Sequence, residues 1–333
     1  MKSLLTIIAI LVLATSCDKI KYRIGSFPEE ATNLNKINSP YDDINSNIPT
    51  IDENLVLMYS SNSFSKGQYF NIEGGIVIFT WFQDSGILSQ GAIDGVSNEL
   101  SNLKSWIRKT ETTFNEKGPY SFMDAENNKM LLFSRDNDQG IYSIYAEPEK
   151  SSGAPNARIA QAFQIFDEPV SEMYPSFYGK DFVKGADISS QGKPEKFLIS
   201  SDRNGVFDIY DLDLPANTSA LAYLFGDTPK SPTKISINST ANDHMPFVYG
   251  DMLVFASDRA GGFGGYDLYY SMKTGSGWSE PVNFGPNINS PLDEYRPVVS
   301  DHPNFSNRLM IFSSNRPGGL GGFDLYYVGI PKF

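Results

Sequence analysis

Four acids recur in one local pattern, acid-x-x-Pro: Glu116-Lys-Gly-Pro119, Glu172-Met-Tyr-Pro175, Asp243-His-Met-Pro246 and Glu294-Tyr-Arg-Pro297. Four arginines recur at equal number, Arg135, Arg203, Arg259 and Arg316, each at the end of an apolar run. A ring of carboxylates could hold a cation or a basic ligand. The same carboxylates could instead each take one arginine in a bidentate pair. An unpaired charge beside a core is costly, which favours the pairs. Asp208, Asp267 and Asp324 each follow a glycine-containing turn and are expected to brace it. Glycoside cleavage needs two carboxylates about 5 to 10 Å apart. Such a pair should break the repeat. Asp42 and Asp43 are the candidates, because the pattern fails there: Pro49 is preceded by Ser46 where the acid should stand.

Other chemistries are poorly served. With His244 and His302 alone, a histidine-rich metal site is excluded. No Gly-x-Ser-x-Gly nucleophile elbow occurs. Ala260-Gly-Gly-Phe-Gly-Gly265 is glycine-rich but joins two apolar runs, whereas phosphate loops open a helix. No catalytic set, metal or cofactor is therefore expected. Tyr69, Phe70, Trp81 and Trp106 could contact a glycan, although core packing explains them as well. The net charge of −12 leaves no electrostatic footprint for nucleic acid.

The elements that must position these residues are repeated hairpins. Met252 to Arg259, a glycine turn, then Tyr266 to Tyr270 form the best copy; Arg308 to Arg316 with Gly321 to Tyr327 repeats it. Lys196 to Arg203 with Gly205 to Tyr210, and Lys129 to Asp136 with Gly140 to Tyr145, are further copies, and Asn54 to Asn62 begins a fifth. Glycine supplies the positive φ of tight hairpin turns. Proline suits the first residue of a strand, where no ladder donor is needed. Five such units imply an all-β fold, a five-bladed propeller of four-stranded antiparallel blades. The chain ends after a third strand, so its N-terminal part must supply the last fourth strand. Asn33 to Pro40 mimics Asn283 to Pro291, which points to residues near Tyr22 to Phe27 as the closing segment. The first blade, 47–117, is enlarged. It holds a helical run in which Val96, Leu100, Leu103 and Ile107 share a face and Asp94 is a candidate cap.

The N-terminus reads as a targeting segment. Lys2 precedes an apolar run from Leu4 to Leu13, too short to span a bilayer but suited to export. Ala14-Thr-Ser-Cys17 then resembles a lipobox, with Cys17, the sole cysteine, as the lipidation site. The expected division is a signal segment, 1–16, and one propeller domain, 17–333.

The hairpins resemble the PD40, or WD40-like, repeats of the TolB-type propeller superfamily. The carrying residues are Ser257-Asp-Arg259 with Asp267-Leu-Tyr269, Ser201-Asp-Arg203 with Asp208-Ile-Tyr210, and Ser314-Asn-Arg316 with Asp324-Leu-Tyr326. The resemblance covers nearly all of the chain after Cys17. It implies an envelope lipoprotein of Gram-negative type, held at the outer membrane by its lipid alone and binding a protein partner or complex at a propeller face. It does not specify chemistry, since the fold hosts many functions. The expectation is a non-catalytic scaffold; the alternative is a lipoprotein that binds or cleaves glycans.

Overall fold

The computed structural model describes residues 24–47, 55–92, 98–123, 129–149, 160–182 and 192–333. Blade 1 comprises β2 (Asp43–Asn47), β3 (Leu55–Ser61), β4 (Asn71–Phe82) and β5 (Ile87–Ala92). Blade 2 comprises β6 (Glu116–Met123), β7 (Lys129–Arg135), β8 (Ser143–Pro148) and β9 (Gln161–Phe163). Blade 3 comprises β10 (Glu172–Tyr178), β11 (Lys196–Ser201), β12 (Asp208–Asp213) and β13 (Thr233–Lys234). Blade 4 comprises β14 (Asp243–Tyr249), β15 (Met252–Ser257) and β16 (Asp267–Thr274), against which β17 (Gly277–Trp278) and β18 (Val282–Asn283) both pair. Blade 5 comprises β19 (Glu294–Ser300), β20 (Arg308–Ser314), β21 (Asp324–Ile330) and, from the other end of the chain, β1 (Thr32–Asn33). All pairings within the blades are antiparallel. The innermost strands β2, β6, β10, β14 and β19 touch their neighbours in sequence and β19 returns to β2, which closes the ring.

Second strands are packed between neighbouring blades on both faces. They are therefore continuous apolar runs and not alternating ones; every residue of β15 is buried. One face meets the preceding blade and the other the following one, so Phe255 and Val254 are equally enclosed.

Closure is by the N-terminal part, but not by the segment expected. Gly25 bridges Phe305 and Phe27 stacks on Phe305 with centroids 4.2 Å apart, along the rim of blade 5. The ladder-forming strand is Thr32–Asn33, opposite Tyr327 and Tyr326. The mimicry of Asn33–Pro40 and Asn283–Pro291 has a physical cause. Asn38 and Asn289 each clasp a third strand, accepting from and donating to the backbone of Leu325 and Leu268 respectively. Asn238 does the same at Ile209. Tyr22, the signal segment and Cys17 lie outside the described residues. Blade 1 carries α1 (Asn98–Ile107), whose Leu100, Leu103, Trp106 and Ile107 are buried. Asp94 and Val96 lie outside the described residues. A second helix, α2 (Ala220–Phe225), decorates blade 3 and is capped by the Ser219 hydroxyl.

Candidate functional site

Each innermost strand opens with one acid, and there are five, not four: Asp43, Glu116, Glu172, Asp243 and Glu294, all buried. The backbone N–H of each donates to the carbonyl of an aromatic residue in the preceding blade: Phe323, Phe70, Tyr142, Phe207 and Tyr266, at 2.7 to 2.9 Å. Two residues on, the strand bulges. Asn45, Gly118, Tyr174, Met245 and Arg296 all have positive φ, between 44° and 62°. The register shift in every first ladder falls at this point. The bulged N–H reaches back to a serine hydroxyl of the previous blade: Asn45 to Ser313, Gly118 to Ser60, Tyr174 to Ser134 and Met245 to Ser200. In the fifth case Ala256 replaces the serine, and the Arg296 N–H faces the Met245 Sδ at 3.2 Å. A bulge re-aims a side chain, and here it brings Asn45, Tyr174 and Met245 into one axial pocket.

This frame corrects the reading of blade 1. Asp43-Ile-Asn-Ser46 is the fifth copy, with Ser46 at the proline position; Pro49 lies outside the described residues. Asp42 and Asp43 are consequently not a free catalytic pair. Asp43 accepts the Ser39 N–H at 2.5 Å. Asp42 accepts the Phe323 N–H at 2.8 Å and the Asn62 amide at 3.1 Å.

Three of the four expected arginine pairs form. Arg135 meets Glu116 at 2.8 Å, Arg316 meets Glu294 at 2.9 Å, and Arg259 meets Asp243. They join first and second strands of one blade, and each guanidinium also holds a carbonyl of the incoming linker: Thr110, Ile288 or Ile237. Burial raises the carboxyls of Glu116 and Glu294 above the usual range, against the pull of their hydrogen bonds and arginines. Arg203 departs from the set and pairs with the exposed Glu168 at 2.8 Å. Glu172 instead accepts the backbone N–H groups of Ile165 and Phe166 at 2.7 to 2.8 Å. Burial pushes it up to about 7. Asp267 and Asp324 brace their glycine turns, accepting from Phe263 and Gly264 and from Leu320 and Gly321. Asp208 differs, pairing with Lys234 at 2.6 Å.

The chemistry gathers at the axis, at positions where the repeats diverge. The residue after each acid, Ile44, Lys117, Met173, His244 or Tyr295, lines a cavity of about 270 Å³. Tyr142, Phe207 and Tyr266, one residue ahead of the third strands, complete the wall with the bulged Asn45, Tyr174 and Met245. Aromatic faces dominate. His244 stacks on Phe207 at 3.9 Å and meets Tyr174 edge-on at 4.8 Å. Tyr295 lies between Tyr266 and Phe323, at 5.3 and 4.9 Å. The Lys117 ammonium sits over the Phe70 ring at 4.8 Å and 5.7 Å from that of Tyr142. Burial pushes His244 down to about 3, with help from Arg296 and Lys117, so the ring is neutral, and among the described residues its Nε2 has no partner. Arg296 is fully buried behind this wall. Its guanidinium lies 5.4 Å from the Tyr174 ring and donates to the carbonyls of Pro246 and Pro175 across the axis, at 2.9 and 3.4 Å. Burial lowers it to about 10.

Sequence reasoning reached the channel mouth and His244 as a ligand face but missed the aromatic wall, Lys117 and Tyr295. The usable signal was an aromatic one place before every third strand, at 70, 142, 207, 266 and 323. Of the aromatics singled out, Phe70 lies beneath the Lys117 ammonium beside the pocket, whereas Trp106 is buried on the inner face of α1 and donates to the Glu147 carbonyl at 3.3 Å. Trp81 packs toward Phe305. His302 accepts the Asn304 N–H in a turn after β19, away from the pocket. Among the described residues no cluster of three or more His, Cys, Asp or Glu could hold a metal.

No family model and no curated protein matches the chain. Solved structures do. A thermostable family-43 glycoside hydrolase is 14% identical, with a TM-score of 0.50, covering 87% of this chain and 91% of its own. A second structure, described as a glycoside hydrolase, is 7% identical with a TM-score of 0.50 and 93% coverage of both chains. Fructan 1-exohydrolase IIa from Cichorium intybus is 10% identical with a TM-score of 0.50, covering 92% of this chain and 61% of its own. At these identities the likeness is one of fold. Two findings stand against the expectation of a non-catalytic protein-binding scaffold. The propellers that this chain is similar to are named as glycoside hydrolases, and the channel mouth is an open aromatic pocket instead of one sealed by arginine–carboxylate pairs.

Proposed function

We propose that this chain acts on glycans and binds a sugar ring in the axial pocket. The observation that carries the reading is the pocket wall. Sugar rings offer apolar C–H faces beside polar rims, and they suit sites of aromatic faces with a few fixed polar groups. Here Tyr142, Phe207, Tyr266 and Tyr295 supply the faces, and Lys117, Asn45 and the His244 Nε2 supply polar atoms. The volume is near the low end for ligand sites, about 300 Å³ and upward, which suits a terminal sugar better than a long chain segment. In this reading the chain is exported and anchored through Cys17, as its N-terminal sequence implies, and the pocket faces the surrounding glycan. The PD40-type repeats are then the frame for the site.

Cleavage is the second reading, favoured by the glycoside hydrolase names of propellers with the same fold. Two-carboxylate chemistry would need acids on both sides of the bond. Among the described residues no carboxylate lines the pocket, and of the five nearby acids four are held by hydrogen bonds or ion pairs, while Asp43 accepts the Ser39 N–H through one oxygen only. Binding is accordingly the leading activity. Saturation-transfer NMR against a panel of oligosaccharides, with chromatography of the same mixtures, tests both readings. Saturable binding that Tyr142→Ala and Tyr295→Ala each weaken at least tenfold supports the pocket. Undiminished binding in both folded variants refutes it, and new reducing ends in the mixtures move cleavage to the front.

A further inference from the structure

The charges around the pocket are unlike those of the rest of the chain. The protein has 39 Asp and Glu against 27 Lys and Arg. The pocket wall itself carries a cation and no acid among the described residues, and the nearest acids, Asp42, Asp136, Asp258 and Asp293, stand behind it. Lys117 is the one cationic side chain in its wall, and among the described residues no carboxylate pairs with it. Asp136 and Asp42 are the acids whose fields reach it. Neither contacts the ammonium: Asp136 is turned to the Asn115 N–H and side-chain amide, and Asp42 to Phe323 and Asn62, so both act on Lys117 only at a distance. Arg296 adds a second positive charge directly behind Tyr174; among the described residues it is held by two carbonyls and an aromatic face, and its Nε has no partner. His244 offers a buried Nε2, unpartnered among the described residues, in the same wall. A buried cation with no carboxylate in contact favours a ligand that supplies that contact. Burial also lowers the Lys117 ammonium, which an arriving anion would reverse.

We infer that the pocket selects an anionic sugar, with the negative group seated at Lys117, in the positive field of Arg296, and within reach of the His244 Nε2. This rests on the glycan reading and narrows it to one substrate class. A carboxylate of a uronic acid and a sulfate ester share the required chemistry. Rings of Tyr142 and Tyr295 would take the sugar faces while Lys117 takes the charge, as charge-assisted hydrogen bonds do best where water is excluded.

The test is a glycan array carrying neutral glycans, uronates, the same uronates as methyl esters, and sulfated neutral sugars. It is read with the whole exported protein and with Lys117→Gln, whose fold is checked by its thermal midpoint. Expected hits are confined to acidic glycans, fall at least tenfold on methyl esterification, and fall at least tenfold in Lys117→Gln. The uronate and sulfate arms identify which anion is meant. Hits on neutral glycans that are unaffected by Lys117→Gln overturn the inference and leave the glycan reading standing. An array with no hits overturns the glycan reading and this inference together. Arg296→Met is a second probe where it folds: acidic-glycan affinity equal to wild type would remove Arg296 from the account.

Discussion

Replacing Glu172 with Gln should make the propeller more stable at pH 8 and leave it unchanged near pH 4. Glu172 stands in the ring of five acids without an arginine, and its carboxyl is enclosed among Ile165, Phe166 and the first strand of blade 3. Burial outweighs the two backbone donors and lifts its pKa from 4.5 to about 7. Between those values the folded chain binds a proton that the unfolded chain has released. Stability therefore falls as pH rises from about 4.5 to about 7 and levels off above. Raising the carboxyl from 4.5 to about 7 corresponds to about 3 kcal/mol. Glutamine keeps an oxygen for both N–H groups and never ionises. Urea denaturation of both proteins at half-unit steps from pH 4 to 8 reads the difference directly. Other buried acids, Glu116 and Glu294 among them, titrate equally in both proteins and cancel. A midpoint gain of about 1 M urea at pH 8, for a slope near 3 kcal/mol/M, is expected. A variant that is less stable than wild type at pH 8 would refute the argument, because Glu172 would then be working as an anion.

The arginines divide by partner. Arg316→Ala should cost about 3 kcal/mol, since it strands the buried Glu294, whereas Arg203→Ala should cost less than about 1 kcal/mol, as its Glu168 is exposed. Equal losses in denaturation would contradict the assignment. Gly118→Ala should destabilise by about 2 to 4 kcal/mol, because φ is +62° and a Cβ would lie 2.5 Å from the Tyr174 ring. Melting unchanged within error would show that the bulge tolerates a side chain. Asn38→Ala removes two buried bonds to Leu325 and should cost about 2 kcal/mol, with faster hydrogen exchange confined to β1 and β21. Protection lost evenly over all blades would argue that ring closure is not its task.

The blades were legible because each hairpin repeats the same inward and outward residues, and five copies leave little freedom of topology. What misled was local. In blade 1 the missing proline at Ser46 hid the acid frame, and Pro49 three residues later offered a false one. In blade 3 the motif is intact, yet Ile165 and Phe166 bring their N–H groups to Glu172 before Arg203 can. That contact lies in tertiary packing and leaves no mark on the repeat. The closing strand was misplaced by a few residues because β1 is two residues long and has no periodicity to read. The lining of the pocket at the channel mouth was hidden for a different reason. Lys117, His244 and Tyr295 occupy the position that varies from blade to blade, so aligning the repeats averages away the residues that differ for function.

The account turns on the axial pocket being the sugar site. A crystal structure of the protein with the tightest glycan from the array tests this most directly. The prediction is one sugar ring in the mouth, its faces against Tyr142 and Tyr295 and its negative group at Lys117. A sugar held on the rim or on the enlarged first blade, with the axial mouth unoccupied, would contradict it.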